Sequence, residues 1–274
     1  MLKTIKSYMM PIAMTLGVIF HNQVGVLSFL IPYLIFIMLL FTYSKLSLSG
    51  LRFTRMHFYL IAFQIVGSVA VYLALRPFNE ILAQGVMICV LAPTATAAPV
   101  IAGMLRGNVA SLTAYSLISN FTVAFFAPLF FSFVGYNELP FFESVLEISK
   151  KVAVLLITPF VAALLINKFL PATGKVIRRF SGASFYLWSL ALIVVTGRTV
   201  QFVIDQGMDH FWVEVAMGVL ALVVCLTQFL TGRKIGRKYD DTVAGGQGLG
   251  QKNTVLAIWM AQTFLNPISS IAPG

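Results

Sequence analysis

Charge is scarce in this sequence. Asp, Glu, Lys and Arg make up 10% of its 274 residues, where a soluble domain carries about 25%. Only two cysteines are present, Cys89 and Cys225, and both fall in apolar runs. That excludes a disulfide framework and a thiolate metal spacing. The three histidines, His21, His57 and His210, are scattered and form no metal cluster. No nucleophile–base triad, phosphate loop or metal motif is present, so the residues point to no enzyme and call for no cofactor. Carboxylates are few as well, nine in all.

What the chain has instead is apolar length. Hydrophobic residues make up 59% of it, and its mean hydropathy is +0.90. This is an all-α polytopic membrane protein whose partner is the lipid bilayer. A transmembrane helix needs about 20 mostly apolar residues. That rule gives spans at 5–20, 25–43, 56–75, 80–106 and 108–133, then a sixth from an amphipathic start at 143–151 to about 168. Two more follow at 183–203 and 211–231; a ninth at 241–265 rests on the repeat and the resemblance given below, because 239–253 reads as a loop by hydropathy. The first run lacks a small-residue cleavage site and reads as an uncleaved span, with His21-Asn22-Gln23 as a short loop after it. Pro171 is expected to end the sixth span, with Lys175, Arg178 and Arg179 in a basic loop. The polar stretch 135–142 is the expected hinge between two halves.

The positions of the charges set the orientation. With the N-terminus inside, the inner segments hold Lys3, Lys6, Lys45, Arg52, Arg55, Arg106, Lys168, Lys175, Arg178, Arg179, Arg233, Lys234, Arg237 and Lys238. Those are fourteen of the nineteen basic residues. The outer segments clearly hold only Arg76 and Arg198. This is the positive-inside pattern. The net charge of +10 therefore reports topology with a cytoplasmic N-terminus, not a nucleic-acid partner.

Two stretches break the run of ordinary spans. Residues 245–262 begin glycine-rich, pass Lys252 and become apolar. Lys252 is the twelfth of the twenty-five residues of the ninth span, which at about 1.5 Å per residue puts it near the bilayer midplane. An ionisable group at that depth marks a functional site; if 239–250 is a loop, Lys252 instead snorkels from a helix end. Residues 92–103 are interrupted by Pro93 and Pro99. Alone, those prolines could be an ordinary kink, and the small residues Thr94 to Ala98 could serve only close helix packing. In the topology above the fourth span runs inward and the ninth outward, as an inverted repeat requires. Paired interrupted spans of this kind point to the binding site of a secondary transporter. The first repeat is 1–134, spans one to five, and the second is 141–274. The second holds spans six to nine and, at Asn266-Pro267-Ile268-Ser269-Ser270-Ile271, what reads as the first turn of a tenth helix matching Asn108. The sequence is thus expected to be truncated within that helix.

The motifs Pro93-Thr94-Ala95-Thr96-Ala97, Leu105-Arg106-Gly107-Asn108-Val109-Ala110 and Gly250-Gln251-Lys252-Asn253-Thr254 resemble those of the bile acid:sodium symporter family. The resemblance implies ten helices in two inverted five-helix repeats, of which nine spans are present. It implies a panel domain from spans one, two, six and seven and a core from three, four, five, eight and nine. Spans four and nine are then unwound and cross at mid-membrane. It also implies a bacterial inner-membrane carrier that moves a small organic anion with sodium, with the substrate between panel and core.

The sodium ligands implied by the resemblance carry over only in part. Gln64 matches a third-span glutamine, and Ser116 a fifth-span hydroxyl. Where the family has Ser-Asn at the crossover, this chain has Ala98 and Pro99. Where it has a glutamate and then a glutamine followed by asparagine, this chain has Gly248, Lys252 and Asn253. A lysine at a sodium site repels the ion: two unit charges about 4 Å apart interact by about 4 kcal/mol at an effective dielectric of about 20, roughly a thousandfold in affinity. The Lys252 ammonium is thus expected to occupy the place of the ion, tying the crossing helix ends together through backbone carbonyls and Gln64. A buried lysine can also release its proton and act as a proton carrier. Thr94, Thr96, Pro99, Asn253 and Thr254 are expected to contact the substrate. Gln64, Ser116, Gly248, Lys252 and Asn253 are expected to form the ion site or its surrogate. Two other readings stay open. One is a sodium symporter using Thr96, Ser116, Gln64 and Asn253 as substitute ligands; the other is a membrane sensor that binds without transport.

Overall fold

The computed structural model describes residues 8–46, 51–135, 139–207 and 211–274. Lys3, Lys6, Glu138, Asp209, His210 and part of the expected hinge lie outside them. Among the described residues, six helices are long and apolar enough to cross a membrane. The chain is a multi-pass membrane protein.

The order begins with α1 (Met9–Ile19), α2 (His21–Gly25), a 3-10 turn (Val26–Leu30), α3 (Ile31–Ser44) and α4 (Arg55–Leu75). A broken pair follows, α5 (Glu80–Leu91) and α6 (Ala98–Met104), then α7 (Val109–Val134). Next come α8 (Phe141–Phe169), α9 (Pro171–Phe180), α10 (Ser184–Gln206) and α11 (Phe211–Arg237). A second broken pair, α12 (Thr242–Gly250) and α13 (Thr254–Phe264), leads to a 3-10 turn at Pro267–Ile271.

Two expectations about loops are corrected. His21-Asn22-Gln23 is helical, and the second apolar span is continuous over His21–Ser44. Nothing there breaks a helix, and the His21 ring meets the Gln201 side chain at 3.1 Å, so the polar run is accommodated within the helix. Pro171 starts α9 instead of leaving a loop, because proline at the first helical position sacrifices only an amide that has no partner anyway. Lys175, Arg178 and Arg179 therefore lie on a helix, where Arg178 donates to Asn167 Oδ1 and to the Ser44 carbonyl. Likewise Arg233, Lys234 and Arg237 lie within α11, where basic groups suit the negative end of the helix dipole.

The chain divides into two compact units. One falls within Met1–Lys45 and Thr158–His210, with Gly274; the other is Leu46–Ile157 with Phe211–Pro273. In the first, Tyr43 meets Phe160 edge-on at 5.5 Å. In the second, α11 and α12 form a hairpin through a turn in which Asp240 takes a positive φ of 54° and the Asp241 amide donates back to the Gly236 carbonyl at 3.0 Å. The two helices lie almost in backbone contact. A Cβ built on Gly245 would lie 2.9 Å from the Gly236 Cα and closer still to the Gly232 carbonyl. Gly232 and Gly236, four apart on one face of α11, make the small-residue seam that lets membrane helices approach this closely.

That seam predicts an asymmetric response to side chains. Gly232→Val forces the hairpin apart and is expected to lower stability by about 1–3 kcal/mol. Gly218→Ala, on the same helix with open space around it, is expected to leave the melting temperature unlowered or slightly raised. Thermal unfolding in detergent measures both, and equal effects would contradict the packing.

Candidate functional site: two broken helices that cross

Each broken helix has a local cause. Ala92, ahead of Pro93, is extended at φ −47°, ψ 141°, as the residue before a proline prefers. Pro99 then sits in the first turn of α6. The second break contains no proline. Gln251 is extended, and Asn253 caps α13 by accepting from the Leu256 amide at 3.2 Å.

The two breaks pair with each other. Thr94 and Lys252 form an antiparallel β-bridge. The Ala95 amide donates to the Gln251 carbonyl at 2.9 Å, and the Asn253 amide to the Pro93 carbonyl at 2.8 Å. Thr94 Oγ1 adds a bond to the Gly248 carbonyl at 2.8 Å. The unwound backbone is thus satisfied within the protein, the condition for irregular chain at membrane depth.

The C-terminal end of α5 poses a further problem. A helix end leaves its last carbonyls without intrahelical partners and carries partial negative charge. Here side chains from three other elements take them in succession. Gln228 Nε2 donates to the Cys89 carbonyl at 3.2 Å and Lys252 Nζ to that of Val90 at 3.0 Å. Gln64 Nε2 donates to the Leu91 and Ala92 carbonyls at 2.6 and 3.1 Å. The one full positive charge in this fan is the Lys252 ammonium.

Gln64 is itself held in place. Its Oε1 accepts from Ser119 Oγ at 3.0 Å and from the Tyr115 hydroxyl at 3.3 Å, and Ser119 Oγ also accepts from the Thr94 amide at 3.4 Å. Gly248 lies against the Tyr115 ring: a Cβ there would be 2.7 Å from Cδ1 and 3.1 Å from Leu112 Cδ1. The space that a carboxylate side chain at 248 would need holds a buried phenol. Among the described residues the carboxylates keep to helix ends and turns, as at Glu80, Glu143, Glu214, Asp240 and Asp241, and no cluster suited to a metal ion is found.

Of the residues singled out in the sequence, Thr94, Gly248, Lys252, Gln64 and Asn253 meet at the crossover. Lys252 and Gln64 cap neighbouring carbonyls of the same helix end, so the link between them runs through α5. Thr96 is half-buried in the first break, Pro99 is buried in α6, and Thr254 opens α13. Ser116 is buried on α7, where its carbonyl accepts from Asn120 Nδ2 at 2.7 Å; the hydroxyls on Gln64 are those of Ser119 and Tyr115. Sequence reasoning missed Tyr115, Ser119 and Gln228. Gln228 alone carried a signal, as a lone amide within an apolar helix.

The tight contact at Gly248 makes it and Tyr115 energetically dependent. Gly248→Ala is expected to destabilise by about 1–3 kcal/mol through overpacking. Pairing it with Tyr115→Leu in a double-mutant cycle is expected to give a coupling of about 1 kcal/mol or more. Strict additivity in thermal unfolding would mean the ring does not fill this space.

No curated protein matches the chain. The sequence profile of the sodium bile acid symporter family matches residues 26–206, which include the first broken helix, Gln64 and Ser116. Lys252 and the second broken helix lie beyond the matched stretch. With more than half of its length matched, the chain belongs to the sodium bile acid symporter family, whose members are transporters.

Proposed function

We propose that this protein is a secondary carrier of a small organic anion, working by alternating access, in which the Lys252 ammonium stands where a coupling sodium ion would. The observation that carries the reading is the Lys252 Nζ bond to the Val90 carbonyl at 3.0 Å, at the negative end of a half-helix inside the crossover. A positive charge is useful there whether it arrives as an ion or on a side chain. The phenol packed on Gly248, in place of a carboxylate, supports the same reading. Two half-helix N-termini, at α6 and α13, add partial positive charge suited to a carboxylate. Thr94, Thr96, Pro99, Asn253 and Thr254 are the substrate-side candidates.

The reading includes a panel formed by spans one, two, six and seven and a core formed by the rest, related internally by an inverted repeat. The compact units support it in most of their extent, since spans one, two and seven and the second part of span six, from Thr158, fall in one, while spans three, four, five, eight and nine fall in the other together with the first part of span six. The N-terminus is taken as cytoplasmic, on the positive-inside pattern.

A sodium symporter using substitute ligands is the second reading. Two buried acceptors without partners among the described residues favour it, Gln251 Oε1 and Asn120 Oδ1. Against it, Asn253 Oδ1 is committed to capping α13, and Gln64 Oε1 already accepts from two hydroxyls.

Uptake into proteoliposomes separates the two. The probe is a radiolabelled carboxylate chosen for its thermal stabilisation of the purified protein, with sodium or choline outside at equal ionic strength. Uptake is expected to be the same in both and to be lost in Lys252→Ala. Uptake that requires sodium supports the substitute-ligand symporter, and binding without uptake supports the sensor.

A further inference from the structure

Two apolar spans end side by side in the first compact unit. α3 finishes at Ser44 and α8 at Phe169, and α9 starts two residues later. One side chain joins all three. Arg178 Nη1 donates to the Ser44 carbonyl at 3.4 Å and to Asn167 Oδ1, and Asn167 Nδ2 donates to the same carbonyl at 3.2 Å. The bare backbone at Gly174 permits this approach, because a Cβ there would lie 2.6 Å from Asn167 Oδ1. A junction where two spans end belongs at the level of the lipid headgroups.

Five basic residues gather there: Lys45 next to Ser44, Lys168 in the last turn of α8, and Lys175, Arg178 and Arg179 on α9. Nothing acidic answers them within the unit. Residues 8–45 and 158–204 contain no Asp or Glu, and Asp205 stands at the far end of α10, about 30 Å from its start. Among the described residues none of the five is in an ion pair. Asn167 and Ser44 engage only Nη1 of Arg178, so its Nη2 and Nε keep their donors unused among the described residues. The basic groups at the end of α11 differ, because Asp240 and Asp241 follow them directly. On α9 the charges run beside an apolar stripe. Lys175 has Arg178 and Arg179 three and four residues on, the spacing of neighbours on one face. Val176 and Phe180, four apart, are exposed on the adjoining face. A helix with one basic and one apolar face suits the boundary between acyl chains and headgroups. Cations without a counter-charge select a headgroup of net negative charge over a zwitterionic one.

We propose that this junction binds an anionic phospholipid, with Lys175, Arg178 and Arg179 holding its phosphate and Val176 and Phe180 packed on its acyl chains. The bound headgroup supplies the counter-charge that the unit lacks. Through Arg178 it fastens α9 to the ends of α3 and α8. The crossover takes no part, so the lipid site stands apart from the carrier reading.

Native mass spectrometry of the purified chain, titrated in detergent with dioleoyl phosphatidylglycerol or dioleoyl phosphatidylcholine, tests this. Phosphatidylglycerol is expected to bind at least about fivefold more tightly, the worth of one basic residue at a headgroup layer. Lys175→Gln combined with Arg179→Gln changes two exposed side chains that hold nothing else in place. That pair is expected to bring phosphatidylglycerol close to the phosphatidylcholine level and to leave phosphatidylcholine unchanged. Lys234→Gln combined with Lys238→Gln, the same change of charge at the end of α11, is expected to keep the preference. Phosphatidylglycerol that binds no tighter than phosphatidylcholine overturns the proposal. Equal losses in the two double variants overturn it too, since net charge and not this junction would then attract the lipid. Displacement of the lipid by glycerol 3-phosphate at matching concentration overturns it as well, by making the ligand a soluble phosphate.

Discussion

A helix that stops inside an apolar interior leaves carbonyls that its surroundings cannot satisfy. In this protein that constraint falls on α5, and much of the second compact unit answers it. Five successive carbonyls, Cys89 to Pro93, are taken by Gln228, Lys252, Gln64 and the Asn253 amide. The donors come from α4, α11 and the opposite break. Each must be brought within hydrogen-bond distance, which fixes where those elements can pack. The glycine seam between α11 and α12 and the bare backbone at Gly248 belong to the same requirement, because they bring the second broken helix close enough for its lysine to reach.

The arrangement also explains how a lysine is accommodated between the two breaks. An unpaired charge inside a bilayer is costly, and intramembrane lysines seek carbonyls or acidic partners. Among the described residues Lys252 has no carboxylate partner, but it has the negative end of a helix and a carbonyl at 3.0 Å. A free cation bound there must surrender water and can leave again; a tethered ammonium stays with the chain. If the family's usual coupling depends on an ion entering and leaving this place, a resident charge changes the energetics of the cycle while preserving the electrostatics of the crossover.

The broad architecture was legible because hydropathy reports spans, and because proline and asparagine mark the first break and the second helix start. The half-helix α12 was visible only through the repeat argument and the resemblance: Gly245, Gly246, Gly248 and Gly250 lower both its hydropathy and its helix propensity, and packing against α11 overrides both. The expected loops at His21 and Lys175 failed for a different reason. Polarity was read as irregular chain, but a polar residue can remain helical when a side chain such as Gln201 or Asn167 meets it. At the site, Lys252 stood out as a charge beside an apolar run, and Gln64 came only through the resemblance. Tyr115 did not stand out, since its role comes from the missing side chain at Gly248, and that relation exists only in three dimensions.

The most direct test of the account is thermal unfolding of the purified protein in sodium and in choline at equal ionic strength, for the parent and for Lys252→Gln. A ligand that binds only the folded state raises the melting temperature by mass action. The account predicts no sodium-dependent shift in the parent, and a shift gained by Lys252→Gln would identify the ammonium as the surrogate ion. A clear sodium-dependent stabilisation of the parent protein would contradict it.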